Sequence, residues 1–175
     1  MALAAFQGHL AAGIGKALRL YELGKKQLLR KCENNVSGIP RHESDQAADY
    51  RAIFQTFPTA ILTLNVQGTR IVVGDIQEST FFVAYKAIPT RQLLVFADDT
   101  QTRWITATQM IDYETVACGD KFGNIFINRL PDHVSGSVDD DPTGAGIMHE
   151  KSYLQGAAHK TGLLMHYYVG SVVTS

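Results

Sequence analysis

Three stretches of the chain read as copies of one unit: "LAAGIGKALRLYEL", "IVVGDIQESTFFVAY" and "VACGDKFGNIFINRL". Each ends a strand in a glycine (Gly13, Gly74, Gly119), turns through polar residues and enters a second alternating strand. Units this short cannot bury an apolar face alone, so repetition at a fixed period means that the copies stack on one another. Gly74 and Gly119 lie 45 residues apart, and a four-stranded propeller blade repeats every ~40–45 residues. Gly13 lies 61 residues before Gly74, which breaks the period. The excess falls in "VSGIPRHESDQAADYRAIFQ", residues 36–55, which is polar and lacks the alternation of its flanks. Without those 20 residues the spacing is 41, and the period returns.

The rest of the chain fits the same architecture. In "STFFVAYK", Phe81, Val83 and Tyr85 share one face while Phe82, Ala84 and Lys86 share the other. "RIVVGDI", "QLLVFAD", "TVACGD" and "GNIFINRL" are similar β-branched or aromatic runs, separated by turns at "ELGKK", "VQGT", "ADDT" and "GDKFGN". No capped helical stripe stands out. The expectation is an all-β partial β-propeller of three four-stranded blades, at about residues 2–35, 56–99 and 104–168. "SVVTS", residues 171–175, would open a fourth blade. "PDHVSGSVDDDPTGAG" and the residues after it, 132–158 in all, read as a long acidic, glycine-bearing loop inside the third blade.

Composition excludes several functions. Lysine plus arginine (16) nearly balances aspartate plus glutamate (17), so no general basic field recruits nucleic acid or an anionic membrane. No apolar run reaches the ~18 residues of a membrane helix. Gln7 and His9 interrupt the N-terminal apolar stretch, which has no basic flank of a secretory signal before it. Cys32 and Cys118 stand far apart without a metal-ligand spacing and read as reduced thiols.

No catalytic, cofactor or metal residue emerges. Gly15-Lys16 is followed by Ala17 where a phosphate-binding P-loop needs a hydroxyl, and Leu10 stands where it needs its first glycine. Leu18 and Leu20 then alternate with Arg19 and Tyr21 as in a strand, so "GIGK" reads as a β-hairpin. Asp139, Asp140 and Asp141 are consecutive, not alternate as in a calcium loop. Asp98 and Asp99 are either an acid/base pair or an Asx-type turn, and the turn is the simpler reading. His149, His159 and His166 lack a shared ligand spacing. Ser44 and Ser79 lack a nucleophile elbow. Lys25, Lys26, Arg30 and Lys31 form a basic group without the interleaved aromatics of a nucleic-acid groove.

"GIGKALRLYELGKKQLLRKCEN", "VVGDIQES", "LLVFADDTQTRW", "DYETVACGDKFGNIFINRLP" and "DDDPTG" resemble, in order, segments of the large three-propeller subunit family of splicing factor 3b. The resemblance spans nearly the whole chain outside residues 36–55 and points to part of the third propeller. It implies a non-catalytic nuclear scaffold of the U2 snRNP, with no cofactor. The implied partners are the other splicing factor 3b subunits, a helical-repeat subunit and a small companion protein. Pre-mRNA and snRNA would be met only through the complex. The alternatives with the same fold are the damaged-DNA-binding adaptor of cullin ubiquitin ligases and the large subunit for mRNA 3′-end processing. Residue-level binding roles stay unknown.

Residues 36–55 read as a retained intron translated in frame, with a true polar insertion as the alternative. Val36-Ser37 can be encoded by GTGAGT, Phe54-Gln55 by TTTCAG, and Ala48-Asp49 by GCTGAC with a branch-point match. An inter-blade loop at this point can lengthen cheaply, because closure costs only about 0.6 kcal/mol per doubling of its length. The genomic codons should begin with GT at Val36 and end with AG at Gln55. Sequencing that locus tests this, and codons lacking either dinucleotide leave the polar insertion.

Overall fold

The computed structural model describes residues 1–23, 28–33, 57–87, 91–99, 101–144 and 165–171. The proposed insertion at 36–55, the basic residues Lys25 and Lys26, and residues 172–175 of the expected fourth blade lie outside these. Twelve strands form three antiparallel four-stranded sheets, each in simple sequence order. The first holds β1 (Ala2–Phe6), β2 (His9–Ile14), β3 (Ala17–Leu23) and β4 (Leu28–Glu33). The second holds β5 (Ile61–Gln67), β6 (Arg70–Asp75), β7 (Thr80–Lys86) and β8 (Gln92–Asp98). The third holds β9 (Ile105–Met110), β10 (Thr115–Asp120), β11 (Asn124–Arg129) and β12 (Met165–Ser171). The chain is therefore all-β in blade-like meanders, and no ring closure is present among the described residues.

The sheets stack through two cores. Phe6, Ala11, Leu18 and Leu20 of the first sheet meet Ile61, Ile71, Val73, Phe81, Val83 and Leu93 of the second. The opposite face of the second sheet, with Val72, Phe82, Ala84, Leu94 and Phe96, meets Ile105, Val116, Cys118 and Phe126 of the third. Alternation along β6 explains this division: Ile71 and Val73 point one way, Val72 the other, and all three are fully buried. The first strands β1, β5 and β9 adjoin one another in turn. Each sheet shows a register irregularity between its third and fourth strands, at Leu20/Tyr21, Phe82/Val83 and Ile125/Phe126. Such bulges sharpen the twist of an outer strand.

The marker glycines sit where the next sheet begins. A Cβ added at Gly13 would lie 2.5 Å from Cγ2 of Ile61, and one at Gly74 would meet Thr63 Oγ1 of its own sheet first and then Cγ2 of Ile105 at 2.7 Å. Ile61 and Ile105 each open the first strand of the following sheet and are buried. Only a residue without a side chain leaves room for them. At Gly119 an added Cβ meets nothing closer than Ala107 Cβ at 3.9 Å. Hairpin tips at the other end link the sheets as well. Gln7 Nε2 donates to the Gly68 carbonyl at 3.2 Å, and Thr69 Oγ1 and Tyr113 Oη lie 2.6 Å apart.

The expected 132–158 loop needs correction over its first part, because Asp132–Asp140 form a helix, α1. Glycine, serine and aspartate have poor helix propensity, which hid it. Val134 and Val138, one turn apart, enter the second core with Leu130, and this burial holds the helix. Arg70 of β6 is buried beneath it, between the Phe96 ring (4.6 Å) and the Tyr113 ring (4.9 Å). Its Nη2 donates to the Ser135 carbonyl at 3.1 Å and pairs with Asp139 at 3.0 Å. Lys86 Nζ donates to the Val138 carbonyl, and Gln92 Nε2 donates to the Thr143 carbonyl at 2.9 Å. Carbonyls at the end of a short helix thereby gain donors. Residues 145–158 of the expected loop lie outside the described residues.

The glycine contacts set a stability test. Gly13→Ala should cost about 1–3 kcal/mol by overpacking against Ile61, and Gly74→Ala a similar amount by overpacking against Thr63 and Ile105. Gly119→Ala should be neutral or gain about 0.4–1 kcal/mol by restricting the unfolded chain. Urea denaturation of the three variants checks this ranking, and equal losses at all three positions would remove the socket argument.

Candidate docking surface

The hairpins joining second and third strands (β2–β3, β6–β7, β10–β11) share one end of the sheets. In the second sheet Asp75 closes the hairpin: its Oδ1 accepts from the backbone N–H groups of Gln77, Glu78 and Ser79 at 3.0, 2.6 and 3.1 Å. Asp120 does the same in the third, accepting from Phe122 N–H at 2.8 Å and Asn124 N–H at 3.0 Å. Its Oδ2 accepts from Asn124 Nδ2 at 2.7 Å. Burial works to raise the Asp120 carboxyl, but the bonds from Asn124 and Phe122, with Arg103 nearby, outweigh it and leave its pKa below the ordinary value. The first hairpin has Ile14 at the corresponding position and turns through Gly15-Lys16. This repeated Gly-Asp was visible in the sequence as Gly74-Asp75 and Gly119-Asp120, though its capping role was not read there.

Gly15-Lys16 is the β-hairpin expected. The carbonyls of Gly15 and Lys16 accept from Ile61 N–H (2.9 Å) and Phe57 N–H (2.8 Å), tying the turn to the next sheet. Because Ile105 pairs with Asp120, Trp104 also stands at this end. Lys121 N–H donates to the Trp104 carbonyl at 3.0 Å. The Lys121 ammonium lies 3.6 Å from the Trp104 ring centroid and 5.0 Å from that of Phe122. The two rings are 37% and 72% exposed. Nothing in the sequence pattern marked these three residues, because Trp104 and Lys121 meet only through the β9–β10 pairing.

Between the second and third sheets lies a buried polar group. Asp99 Oδ1 accepts from Gln101 N–H at 2.8 Å, the Asx turn expected from the sequence. Its Oδ2 accepts from Ser79 Oγ at 2.5 Å and Asn128 Nδ2 at 3.1 Å, and Asn128 Nδ2 also reaches Thr80 Oγ1 at 2.8 Å. Ser79 holds a left-handed backbone (φ 87°), an uncommon conformation for a residue with a side chain. Its hydroxyl is committed to the bond with Asp99. Burial, then Asp99, push the Asp98 carboxyl up to about 7, and Asp98 Oδ1 is buried without a partner. Burial also pushes the Cys118 thiol up to about 12, which suppresses thiolate chemistry.

The remaining sequence candidates separate. Asp139 pairs with Arg70 and accepts from Tyr113 Oη at 3.2 Å, while Asp141 Oδ1 accepts from the N–H groups of Thr143 (3.1 Å) and Gly144 (2.9 Å). Asp140, at the end of α1, is exposed. Lys31 pairs with Glu22, and Arg30 is exposed on β4. His166 lies on β12 opposite Asn128. Ser44, His149 and His159 lie outside the described residues. Among the described residues no three His, Cys, Asp or Glu side chains gather as a metal site, and no helix is long and apolar enough to cross a membrane.

Comparison with known proteins matches residues 1–175 to the CPSF A subunit region. Pre-mRNA-splicing factor RSE1 of Mycosarcoma maydis is 51% identical over 175 residues, all of this chain and 13% of that relative. Splicing factor 3B subunit 3 of Drosophila melanogaster is 42% identical over 99% of the chain and 12% of its own length. Spliceosome-associated protein 130 A of Arabidopsis thaliana is 43% identical over 99% of the chain and 13% of its own length. The chain thus spans about an eighth of these relatives.

Asp98 supplies a pH test. A carboxyl with a folded-state pKa above its unfolded value of ~3.9 stabilises the fold fully below that value, and the contribution is lost as pH rises through about 7. Stability of the chain should fall between pH 5 and pH 8. Asp98→Asn should flatten this slope and add about 1–3 kcal/mol at pH 8. Chemical denaturation across that range checks it, and an unchanged slope in the variant would assign the titration elsewhere.

Proposed function

Because this chain belongs to the CPSF A subunit family, we propose that it acts in pre-mRNA splicing, as a non-catalytic scaffold segment of the splicing factor 3b complex in the nucleus. The observation that carries this reading is 42–51% identity, across essentially the whole chain, to relatives named as splicing factors. The physical organisation supports it. Hairpin tips held by Asp75 and Asp120 stand on sheets locked by two cores, and loops fixed on a rigid sheet make good docking surfaces. The chemistry supports it too: burial holds the Cys118 thiol protonated, and the Ser79 hydroxyl donates to Asp99, which also accepts from Gln101 and Asn128. On this reading the contacts are with other subunits of the complex, and RNA is reached through them.

The alternative that the resemblance leaves open, a related adaptor of cullin ubiquitin ligases or of mRNA 3′-end processing, would share the fold and join a different assembly. Affinity purification from nuclear extract of the tagged protein that carries this chain distinguishes the two. Splicing factor 3b subunits should be recovered. Recovery of cullin or of the 3′-processing machinery in their place would overturn the splicing assignment.

A further inference from the structure

Among the described residues, the hairpin tip of the third sheet presents an exposed group of one cation and two aromatic rings. Trp104 and Phe122 are both exposed, Phe122 being the most exposed large apolar side chain after Met1 among the described residues, and the Lys121 ammonium lies over both rings. Among the described residues Lys121 makes no ion pair. The nearest acid in sequence, Asp120, spends both carboxylate oxygens inside the turn. The acids Asp132, Asp139 and Asp140 sit on α1, which packs on Arg70 at the opposite end of β6 from Asp75. The tip is also fixed in advance, by Lys121 N–H on the Trp104 carbonyl and by the Phe122 and Asn124 N–H groups on Asp120. A preordered surface loses little entropy on binding.

Two features decide what chemistry this surface suits. A single-stranded nucleic acid needs open ring faces for its bases and a basic groove for its backbone. Here Lys121 already covers one face of Trp104, and Arg103 is turned onto the Phe126 ring at 4.1 Å. Lys16 stands on the hairpin of the first sheet, with Glu78 on the hairpin between, so the cations form no continuous stripe. A carboxylate beside an apolar side chain satisfies both parts at once: the acid meets the ammonium, and the apolar group covers the rings. We propose that Trp104, Lys121 and Phe122 form a docking point for a partner-protein segment carrying an acidic residue next to a leucine or aromatic residue. This rests on the reading of the chain as a protein-docking scaffold.

Trp104 is the one tryptophan of the chain, so its fluorescence reports on this surface directly. The chain would be titrated to millimolar levels with three probes: the peptide Asp-Glu-Leu-Phe-Asp-Asp, its counterpart Lys-Lys-Leu-Phe-Lys-Lys, and a short oligouridine. A saturable change is expected with the acidic peptide alone. Lys121→Glu should weaken that response about tenfold or more and create a response to the lysine peptide, with thermal unfolding unchanged. This charge swap is a readout that lost folding cannot mimic. A response to oligouridine alone would overturn the proposal in favour of nucleic acid. A concentration-dependent change without any probe, abolished by Phe122→Ala, would overturn it in favour of a second copy. No response to any probe, or acidic-peptide binding indifferent to Lys121→Glu, would also overturn it. A failed splicing assignment shows separately, as recovery of another assembly in the purification while the charge swap persists.

Discussion

The structure depends on one repeated contact: an isoleucine opening a sheet, pressed against a glycine of the sheet before. Ile61 on Gly13 and Ile105 on Gly74 bring the first strands close enough to adjoin. From there each strand's alternation does the rest, sending Ile71 and Val73 into one core and Val72 into the other. A side chain at either glycine would push the sheets apart at this contact. The cost would spread along both cores, since close-packed interiors transmit strain. Asn65 reinforces the same seam by donating to the Thr108 carbonyl and hydroxyl at 2.6 and 2.7 Å.

The two ends of the sheets serve different ends of this design. At one, Arg70 and Lys86 reach up from the second sheet to hold α1 over the seam with the third. A guanidinium with almost no solvent exposure is costly, and burial lowers its pKa against the opposing influence of Tyr113 and Asp139. Two aromatic faces, a carbonyl and a carboxylate offset that cost, so α1 is held by tertiary contacts and not by its own composition. At the other end, carboxylates close the hairpins from within and leave Trp104, Lys121 and Phe122 facing outward. Rigid tips on a rigid stack fit a protein whose relatives are named as splicing factors.

Several features were legible in the sequence because they depend on neighbours along the chain. Period-two alternation in "STFFVAYK", the hairpin at Gly15-Lys16 and the Asx turn at Asp99 each follow from local backbone preferences. The three glycines were also readable as markers, since each ends a strand before a polar turn. What Gly13 and Gly74 were for was not, because Ile61 and Ile105 reach them from the following sheet. The stretch at 132–140 was read as loop because glycine, serine and aspartate dominate it. Pro131 at its start and valines one turn apart were the available signals.

By itself, then, the sequence determined the class of structure: antiparallel four-stranded units that stack on one another, without a nucleotide- or metal-binding motif. Those properties are encoded by alternation, turn residues and spacing, which act over a few residues or repeat along the chain. Only the tertiary structure decided that the half-buried Asp98 would have its carboxyl pushed up to about 7, and that α1 would form over Arg70. It alone brought Lys121 onto Trp104. Desolvation, cation–π contact and helix docking depend on what other strands bring alongside, and no local pattern of residues records that.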